Sequence, residues 1–347
     1  MPDPGPSDIL VRMNFWQANS IQFSPWGADY DLPVAMGEPD AAGNDAIDFH
    51  AEARAWEPYC PQIRPALPDR IILIDGRLRV DAPFVGRQGN VPVYGAFATI
   101  AIGAVAIDRT RGAAVYPEPP IVRRAIAFCG EKPPVTRLPA LPGMHNPVVY
   151  DLRLSDRQHN DPDRPQKLVL NAMRTLEIEL AGRWAREPDT LAIQDGNLVS
   201  MQQSQAILGY VKTLHKAYLA GERAEILWQL QSGERTPVFA LGRDTSPNRR
   251  WSWYLRSGDV FAGRAYRGLH GVVRLELLAT NVARERAIEI ADWSCELIPR
   301  YASQPLRDPR APQNLMPIGA LEKHLGRSMG DRKLVRRCIQ AFLAARS

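Results

Sequence analysis

This 347-residue sequence has little lysine, little cysteine and no long uninterrupted apolar run. Only six of its 43 basic residues are lysine, and the remaining arginines suit bidentate phosphate contacts, although a coding bias explains the excess equally well. The four cysteines (Cys60, Cys129, Cys295 and Cys338) have neither metal-binding nor redox spacing, which predicts a reduced, cytoplasmic protein. The longest apolar run, residues 91–107, is interrupted by proline and glycine and falls short of the roughly 20 residues that a membrane-spanning helix needs.

Several common catalytic and targeting motifs are also missing. GxxxxGK[ST] does not occur, so the sequence does not indicate a P-loop ATPase, and neither HExxH nor GxSxG is present. The first ten residues have no basic start and no apolar core, so we expect no signal peptide. With 45% hydrophobic and 23% charged residues, the composition is that of a globular protein. The net charge of +5 is only a weak indication of nucleic-acid binding.

Proline and tryptophan mark two irregular segments. Residues 1–66 lack regular periodicity, and we expect this segment to dock a partner or a second copy through Phe15, Trp16 and Trp26. Residues 130–166 contain seven prolines, which exclude a long helix and predict a surface insertion with a short strand at 148–154. Residues 67–347 are the predicted main domain.

The hydrophobic pattern of the main domain predicts a mixed α/β fold with one central sheet. Strands are predicted at residues 70–75, 91–107, 112–116, 190–194, 236–241, 251–256, 271–278 and 287–291. Helices are predicted at residues 167–185, 203–220, 316–327 and 331–345.

Two of the predicted strands deliver an aspartate followed by glycine. RIILIDG places Asp75 before Gly76, and TLAIQDG places Asp195 before Gly196. Ligands bind outside the carboxyl ends of strands in open α/β sheets, so we expect the two aspartates to converge. Two carboxylates without a cation repel each other, and their hard oxygens suit Mg²⁺ or Mn²⁺. Taken singly, Asp-Gly after a strand is also ordinary turn chemistry.

The helix between the two strands carries a third acid. Glu177 lies on the apolar stripe of the predicted helix at 167–185, whereas Glu179 lies about 200° around the axis, so only one can face the sheet. We expect Glu177 to be the inward residue. Lys212, placed early in the predicted helix at 203–220, could hold a phosphate or steady the carboxylates.

Other residues are weaker candidates. His324 lies in PIGALEKH near the end of the sequence, and Asp292 ends the predicted strand AIEIAD (287–292) as a reserve carboxylate. His215 and Lys216 follow Lys212. Aromatic residues alternate with arginines around residues 249–267, a pattern that either packs in the core or forms a stacking wall for single-stranded DNA.

The order of these motifs resembles the NurA nucleases. The resemblance covers residues 70–340 and depends on the Asp75-Gly76 strand, the Glu177 helix, the Asp195-Gly196 strand, GYVKT with Lys212, and PIGALEKH with His324. The sequence departs from the family at Arg77, where a small hydroxyl residue is usual, and at Lys323, where alanine commonly precedes the histidine.

The resemblance implies an RNase H-like mixed sheet flanked by helices and a metal-dependent nuclease acting in DNA end resection or double-strand-break repair. It implies that Asp75, Glu177, Asp195 and His324 bind two catalytic ions, typically Mn²⁺, with Lys212 as a further catalytic residue. Arg256 and Arg274 are expected to follow the DNA backbone. The implied partners are DNA, a second copy in a homodimer and a hexameric HerA-type translocase, with no membrane.

Two other functions remain open at this point. An inactive DNA-binding or scaffold subunit on the same fold is one, because Arg77 follows the first Asp-Gly. An RNA-directed RNase H-like enzyme is the other. A protein whose acids are only turn residues would show no stabilisation by Mn²⁺.

Overall fold

The computed structural model describes residues 22–23, 46–62, 66–141, 147–198, 206–214, 218–259, 269–304 and 311–345. The residues expected to dock a partner (Phe15, Trp16 and Trp26) lie outside these ranges, as do His215 and Lys216. None of the helices in the described ranges combines the length and the apolar character that a membrane crossing requires.

A large mixed sheet organises the described part of the chain. Its strands and those of a small hairpin are β1 (Gln22–Phe23), β2 (Ile47–Asp48), β3 (Arg70–Gln88), β4 (Val91–Asp108), β5 (Ala113–Val115), β6 (Ile121–Phe128), β7 (Thr136–Arg137), β8 (Val149–Tyr150), β9 (Leu152–Ser155), β10 (Thr190–Asp195), β11 (Ile207–Val211), β12 (Phe239–Leu241), β13 (Arg250–Arg256) and β14 (Val272–Leu278). The main sheet has the order β2-β12-β13-β14-β11-β10-β3-β4-β6-β9, with β1 beside β3 and β5 beside β4, while β7 and β8 pair separately.

The centre of the sheet changes from antiparallel to parallel pairing. Strands β3, β4 and β6 form an antiparallel meander, whereas β10 is parallel to β3 and β11 is parallel to β10. Strand β14 is then antiparallel to β11 and to β13. The fold is therefore mixed α/β with one dominant sheet, as the hydrophobic pattern predicted.

Five helices flank the sheet in the part of the chain that the structure describes. They are α1 (Arg164–Trp184), α2 (Glu222–Gln229), α3 (Arg284–Tyr301), α4 (Met316–Ser328) and α5 (Arg332–Ala344). Alternate residues of β3 face the two layers: Ile71 and Leu73 lie in the cluster that contains Leu321 and Leu325 of α4, and Ile72 and Ile74 lie in the cluster packed by α1. Both faces of this strand are therefore buried, which explains why its sequence is a continuous apolar run.

Two predicted elements are wrong. Part of the predicted helix at 203–220 is strand β11, because Ile207–Val211 is a fully buried run that pairs with β10 and β14. The predicted strand at 287–291 lies inside α3, whose buried residues recur at helical spacing. Asp292 is therefore a helix residue, and it accepts hydrogen bonds from buried Arg235 at 2.6 and 3.0 Å.

The two irregular segments contribute to the core where they are described. Arg235 also donates to Glu52 at 2.8 and 3.0 Å, which fixes the segment 46–62 to the far end of the sheet. Within the Pro-rich segment, β9 extends the main sheet by pairing in parallel with β6, and Pro165 lies in the first turn of α1.

Candidate active site

Asp75 and Asp195 lie side by side on neighbouring parallel strands. The register pairs Ile74 with Gln194, so the two aspartates occupy the next position on each strand. Parallel strands in register direct such residues to the same face of the sheet, roughly 4.8 Å apart along the backbone. The predicted convergence of the two acids is present in the structure.

The first Asp-Gly does not end its strand, which corrects the sequence prediction. Strand β3 continues to Gln88, whereas β10 stops at Asp195 and its last pairing with β3 is at Gln194. Only Gly196 makes the predicted turn, with a φ of 99° that favours glycine. The site is thus a step in the sheet, at the point where one parallel strand ends and its neighbour continues.

Gly76 makes room for the third acid. Helix α1 buries Val169, Met173 and Glu177 on one stripe against the sheet. The carboxyl group of Glu177 and the side chain of Met173 occupy the space that a Cβ at position 76 would need. Glu177 is the inward residue, as predicted, and Glu179 is exposed.

Lys212 provides a cation at the same step. Its Nζ donates to Asp195 Oδ2 at 2.5 Å and to Asn314 Oδ1 at 2.8 Å. It directly follows β11 rather than lying in a helix. Asn314 is buried just before α4, and Gln313 beside it donates to the Lys212 carbonyl at 3.0 Å. The segment before α4 therefore holds this lysine by both its side chain and its backbone.

A buried carboxylate fixes the turn that follows Asp195. Glu276 accepts a hydrogen bond from the Leu198 backbone N–H at 2.7 Å and forms an ion pair with Arg274 at 3.1 Å. Arg250 donates to the Leu198 carbonyl at 2.8 Å. These contacts anchor the chain that leaves the site to the neighbouring strands.

Burial and neighbouring acids raise the pKa of Asp75 and of Glu177. Burial and the charge of Asp195 raise the pKa of Asp75 to about 8, with Glu322 adding to the effect and Lys212 opposing it. Burial, Asp75 and Asp195 raise the pKa of Glu177 well above its usual range. Asp75 Oδ2 is buried and has no hydrogen-bond partner among the described residues. Without a bound cation, Asp75 is therefore largely protonated at neutral pH.

Glu322, which the sequence analysis did not single out, is a residue of α4 that acts electrostatically on Asp75. Glu322 acts on Asp75 from α4, and residues 322 and 324 lie about 200° apart around a helix. The His324 ring instead stacks on Tyr116, with centroids 4.1 Å apart and planes at 9°. The prediction that His324 joins the acids is not supported by this arrangement.

Arg256 and Arg274 are buried, which corrects their predicted role as DNA contacts. Arg256 is 1% exposed and donates to the carbonyls of Leu230 and His270 at 2.7 and 2.8 Å. Arg274 is 3% exposed and holds Glu276, as described above. Both guanidinium groups are committed to internal contacts, and neither can follow a nucleic-acid backbone.

The remaining sequence candidates that the structure describes make contacts within the fold. Trp251, Trp253 and Tyr254 pack in the core, and Tyr266 lies outside the described residues. Arg77 Nη1 donates to the Glu322 carbonyl at 3.1 Å, which directs its guanidinium to the backbone of α4.

The acids do not form a finished coordination shell. Among the side chains of the described ranges, no group of three or more His, Cys, Asp or Glu is arranged to hold a metal ion. One oxygen of Asp195 is instead paired with Lys212.

The structure adds two polar residues to the site that sequence patterns did not reveal. Asn314 and Glu322 lie in the segment in which the sequence predicts only His324 as a site residue, and neither follows a predicted strand or a recognised motif. Helical periodicity offered one signal, since Glu322 directly follows the buried residue Leu321 and so lies at the margin of the buried face.

Comparisons with known proteins do not identify the chain. No protein-family model matches it, and no curated protein does. One solved structure with similarity is the crystal structure of an endonuclease V from Bacillus subtilis, at 13% sequence identity and a TM-score of 0.28 over 77% of this chain and 86% of that one. A TM-score of this size does not establish a shared fold.

Proposed function

We propose that this protein is a nuclease that hydrolyses phosphodiester bonds with the help of a divalent metal ion. The observation that carries the proposal is the adjacent placement of Asp75 and Asp195 on β3 and β10, with the Glu177 carboxyl group packed on Gly76 from α1 and electrostatically coupled to both aspartates. Buried like charges are costly unless a cation compensates them, and Lys212 supplies only one positive charge. Sites that keep such groups together are candidates for catalysis.

The side chains suit Mg²⁺ or Mn²⁺ in their chemistry. Carboxylate oxygens are the hard donors that these ions prefer. The buried Oδ2 of Asp75 has no hydrogen-bond partner among the described residues, so this oxygen is available as a metal ligand. Asp75, Asp195 and Glu177 would hold the ion, with Glu322 within electrostatic reach of Asp75. A bound divalent ion supplies Lewis acidity and lowers the pKa of a coordinated water.

The protein's own groups have distinct tasks in this proposal. Asp75 and Glu177 would lose their protons on binding a cation, whose charge would oppose the burial and repulsion that raise their pKa. Lys212 orients Asp195 and, on release, can bind a nonbridging phosphate oxygen as a point charge. Asn314 holds the lysine in place.

The mixed sheet flanked by helices supports the RNase H-like core that the NurA resemblance implies. On that basis we propose DNA as the substrate and end resection or double-strand-break repair as the setting. The homodimer and the HerA-type translocase belong to the same proposal, with the motor supplied in trans because this sequence has no P-loop motif.

The test is a cleavage assay on labelled linear DNA with and without Mn²⁺ or Mg²⁺. Single-stranded DNA, double-stranded DNA, RNA and an RNA–DNA hybrid are compared, so that an RNA-directed enzyme is recognised by its substrate. We expect ion-dependent cleavage of DNA that Asp195→Asn abolishes. The matched control is Glu179→Gln, which alters an exposed acid on the helix that carries Glu177 and should leave cleavage unchanged. Equal activity of Asp195→Asn and the unmodified protein would refute the proposal.

A non-catalytic DNA-binding subunit is the second candidate. It is favoured by the Lys212–Asp195 ion pair, which already neutralises one acid, and by the lack of a finished three-ligand group in the described residues. DNA binding without cleavage in any divalent ion, together with no change in melting temperature on adding Mn²⁺, would establish it in place of the nuclease.

A further inference from the structure

Half-buried His324 on α4 stacks against an exposed tyrosine, Tyr116, from another part of the chain. Tyr116 follows β5 and is 43% exposed, and one face of its ring lies against His324 at 4.1 Å between centroids. The Tyr116 hydroxyl donates to the Ala320 carbonyl at 3.3 Å, which fixes the ring on the helix. A ring held in this way and 43% exposed leaves part of its aromatic surface available for stacking.

The surroundings of the pair are apolar and positively charged. At 100° per residue, five residues fall within one arc of about 100° on α4: Met316, Ala320, Lys323, His324 and Arg327. Met316 is 43% exposed, and Lys323 and Arg327 are exposed as well. The opposite face of the helix packs Ile318, Leu321 and Leu325 into the core. This surface therefore combines an aromatic face with two cations.

We propose that Tyr116, supported by His324, stacks on an unpaired nucleobase of a single-stranded nucleic acid, with Lys323 and Arg327 near its phosphates. Base–aromatic stacking beside basic residues is the general means by which proteins hold single strands without reading sequence. Glu322 acts electrostatically on Asp75 from the same helix and lies about 200° around the axis from His324, so the platform and Asp75 lie on different sides of α4. The inference rests on the proposed function only in taking nucleic acid as the substrate.

Binding can be measured apart from cleavage, by fluorescence anisotropy of a labelled 12-nucleotide oligo(dT) with the full chain in EDTA. We expect Tyr116→Ala to weaken binding about 5- to 100-fold, and Tyr116→Phe to stay within about twofold because it keeps the ring. Trp228→Ala, which removes another exposed aromatic residue on α2, should bind as the unmodified protein does. If the unmodified protein binds oligo(dT) through Tyr116 but cleaves no nucleic acid, the proposed function is refuted and the stacking proposal still holds.

An oligonucleotide of the same length with abasic sites separates stacking from phosphate binding. It should bind the unmodified protein and Tyr116→Ala equally, because it has no base to stack. Equal binding of oligo(dT) by both proteins would overturn the proposal. It would also be overturned if Tyr116→Ala weakened binding of the abasic strand as much as binding of oligo(dT). A change of oligomeric state in Tyr116→Ala would also overturn the proposal, because the surface would then be an interface between copies of the chain. Circular dichroism melts confirm that each variant is folded.

Discussion

Asp75 and Asp81 lie on the same long strand, and both are buried, at 8% and 1% exposure. Asp81 accepts hydrogen bonds from Thr99 at 2.5 Å, from Tyr150 at 2.8 Å and from Arg79 at 2.8 Å. Asp75 faces other acids, and its Oδ2 has no partner among the described residues. One aspartate is fully compensated inside the fold, whereas the other keeps a buried oxygen without a partner among the described residues, which is the basis of the proposed cation site.

The Asp81 network also joins the sheet to the helices. Arg79 donates to the carbonyls of Met329 and Gly330, and Arg124 donates to that of Met329. Both arginines therefore satisfy backbone groups at the end of α4 while they pair with Asp81. The comparison assigns stability to Asp81 and chemistry to Asp75, and it can be broken by experiment.

The largest effect is expected at Asp75. Asp75→Asn should reduce metal-dependent DNA cleavage by roughly 100-fold or more, because it removes a charged ligand from the proposed cation site. The free energy of unfolding should stay the same or rise, since the amide ends a repulsion between buried acids. Cleavage rates and urea unfolding of the same preparation test both parts. A fully active variant would remove Asp75 from the site.

Asp81→Asn should have the opposite profile. It leaves Arg79 and Arg124 without their buried carboxylate, and breaking such a pair costs about 3 kcal/mol of unfolding free energy. Cleavage measured well below the melting temperature should persist. The comparison fails if this variant is as stable as the unmodified protein or loses cleavage while it is still folded.

Gly76→Ala tests how Glu177 reaches the acids. The added Cβ would overlap the Glu177 carboxyl group, so cleavage should fall roughly 10- to 100-fold as that group is displaced. Gly103→Ala is the matched control, because Gly103 pairs with Asp75 on the adjacent strand and its Cβ would meet only leucine side chains. Equal loss of cleavage in both variants would point to general disturbance of the sheet.

The last prediction concerns the pH dependence of stability in EDTA. The pKa of Asp75 is about 8 in the folded protein and about 3.9 in an unfolded chain. Between these values the unfolded state binds fewer protons, so the free energy of unfolding falls as pH rises from 4 to 8. Urea unfolding across this range should show a smaller fall for Asp75→Asn. Parallel curves for the two proteins would contradict the assignment.

The sequence predicted the parts of the site that follow local patterns. The Asp-Gly pattern after a short apolar run located Asp75 and Asp195, and helical periodicity selected Glu177 over Glu179. It was wrong about Gly76, because the turn signal is the same whether a glycine bends the chain or admits a neighbouring side chain. Glu322 was missed because its approach to Asp75 depends on how α4 packs across the sheet, which no local pattern encodes.

The same limit explains why Arg256 and Arg274 were wrongly predicted to contact DNA and why strand β11 was predicted as part of a helix. Buried arginines such as Arg256 and surface arginines look alike in a sequence, and only the packed structure supplies the carbonyls that Arg256 binds. A short apolar run flanked by polar residues fits a buried strand or a helix segment equally well, and pairing with β10 decided for the strand at Ile207–Val211.

Calorimetric titration of Mn²⁺ into the full chain at pH 7, in buffers of different ionisation enthalpy, tests the central claim most directly. We predict saturable binding that releases protons, since Asp75 and Glu177 must deprotonate when the ion enters, and both the binding and the proton release should be lost in Asp75→Asn. Binding that is absent, or that is the same in Asp75→Asn with no protons released, would contradict a cation site at these acids.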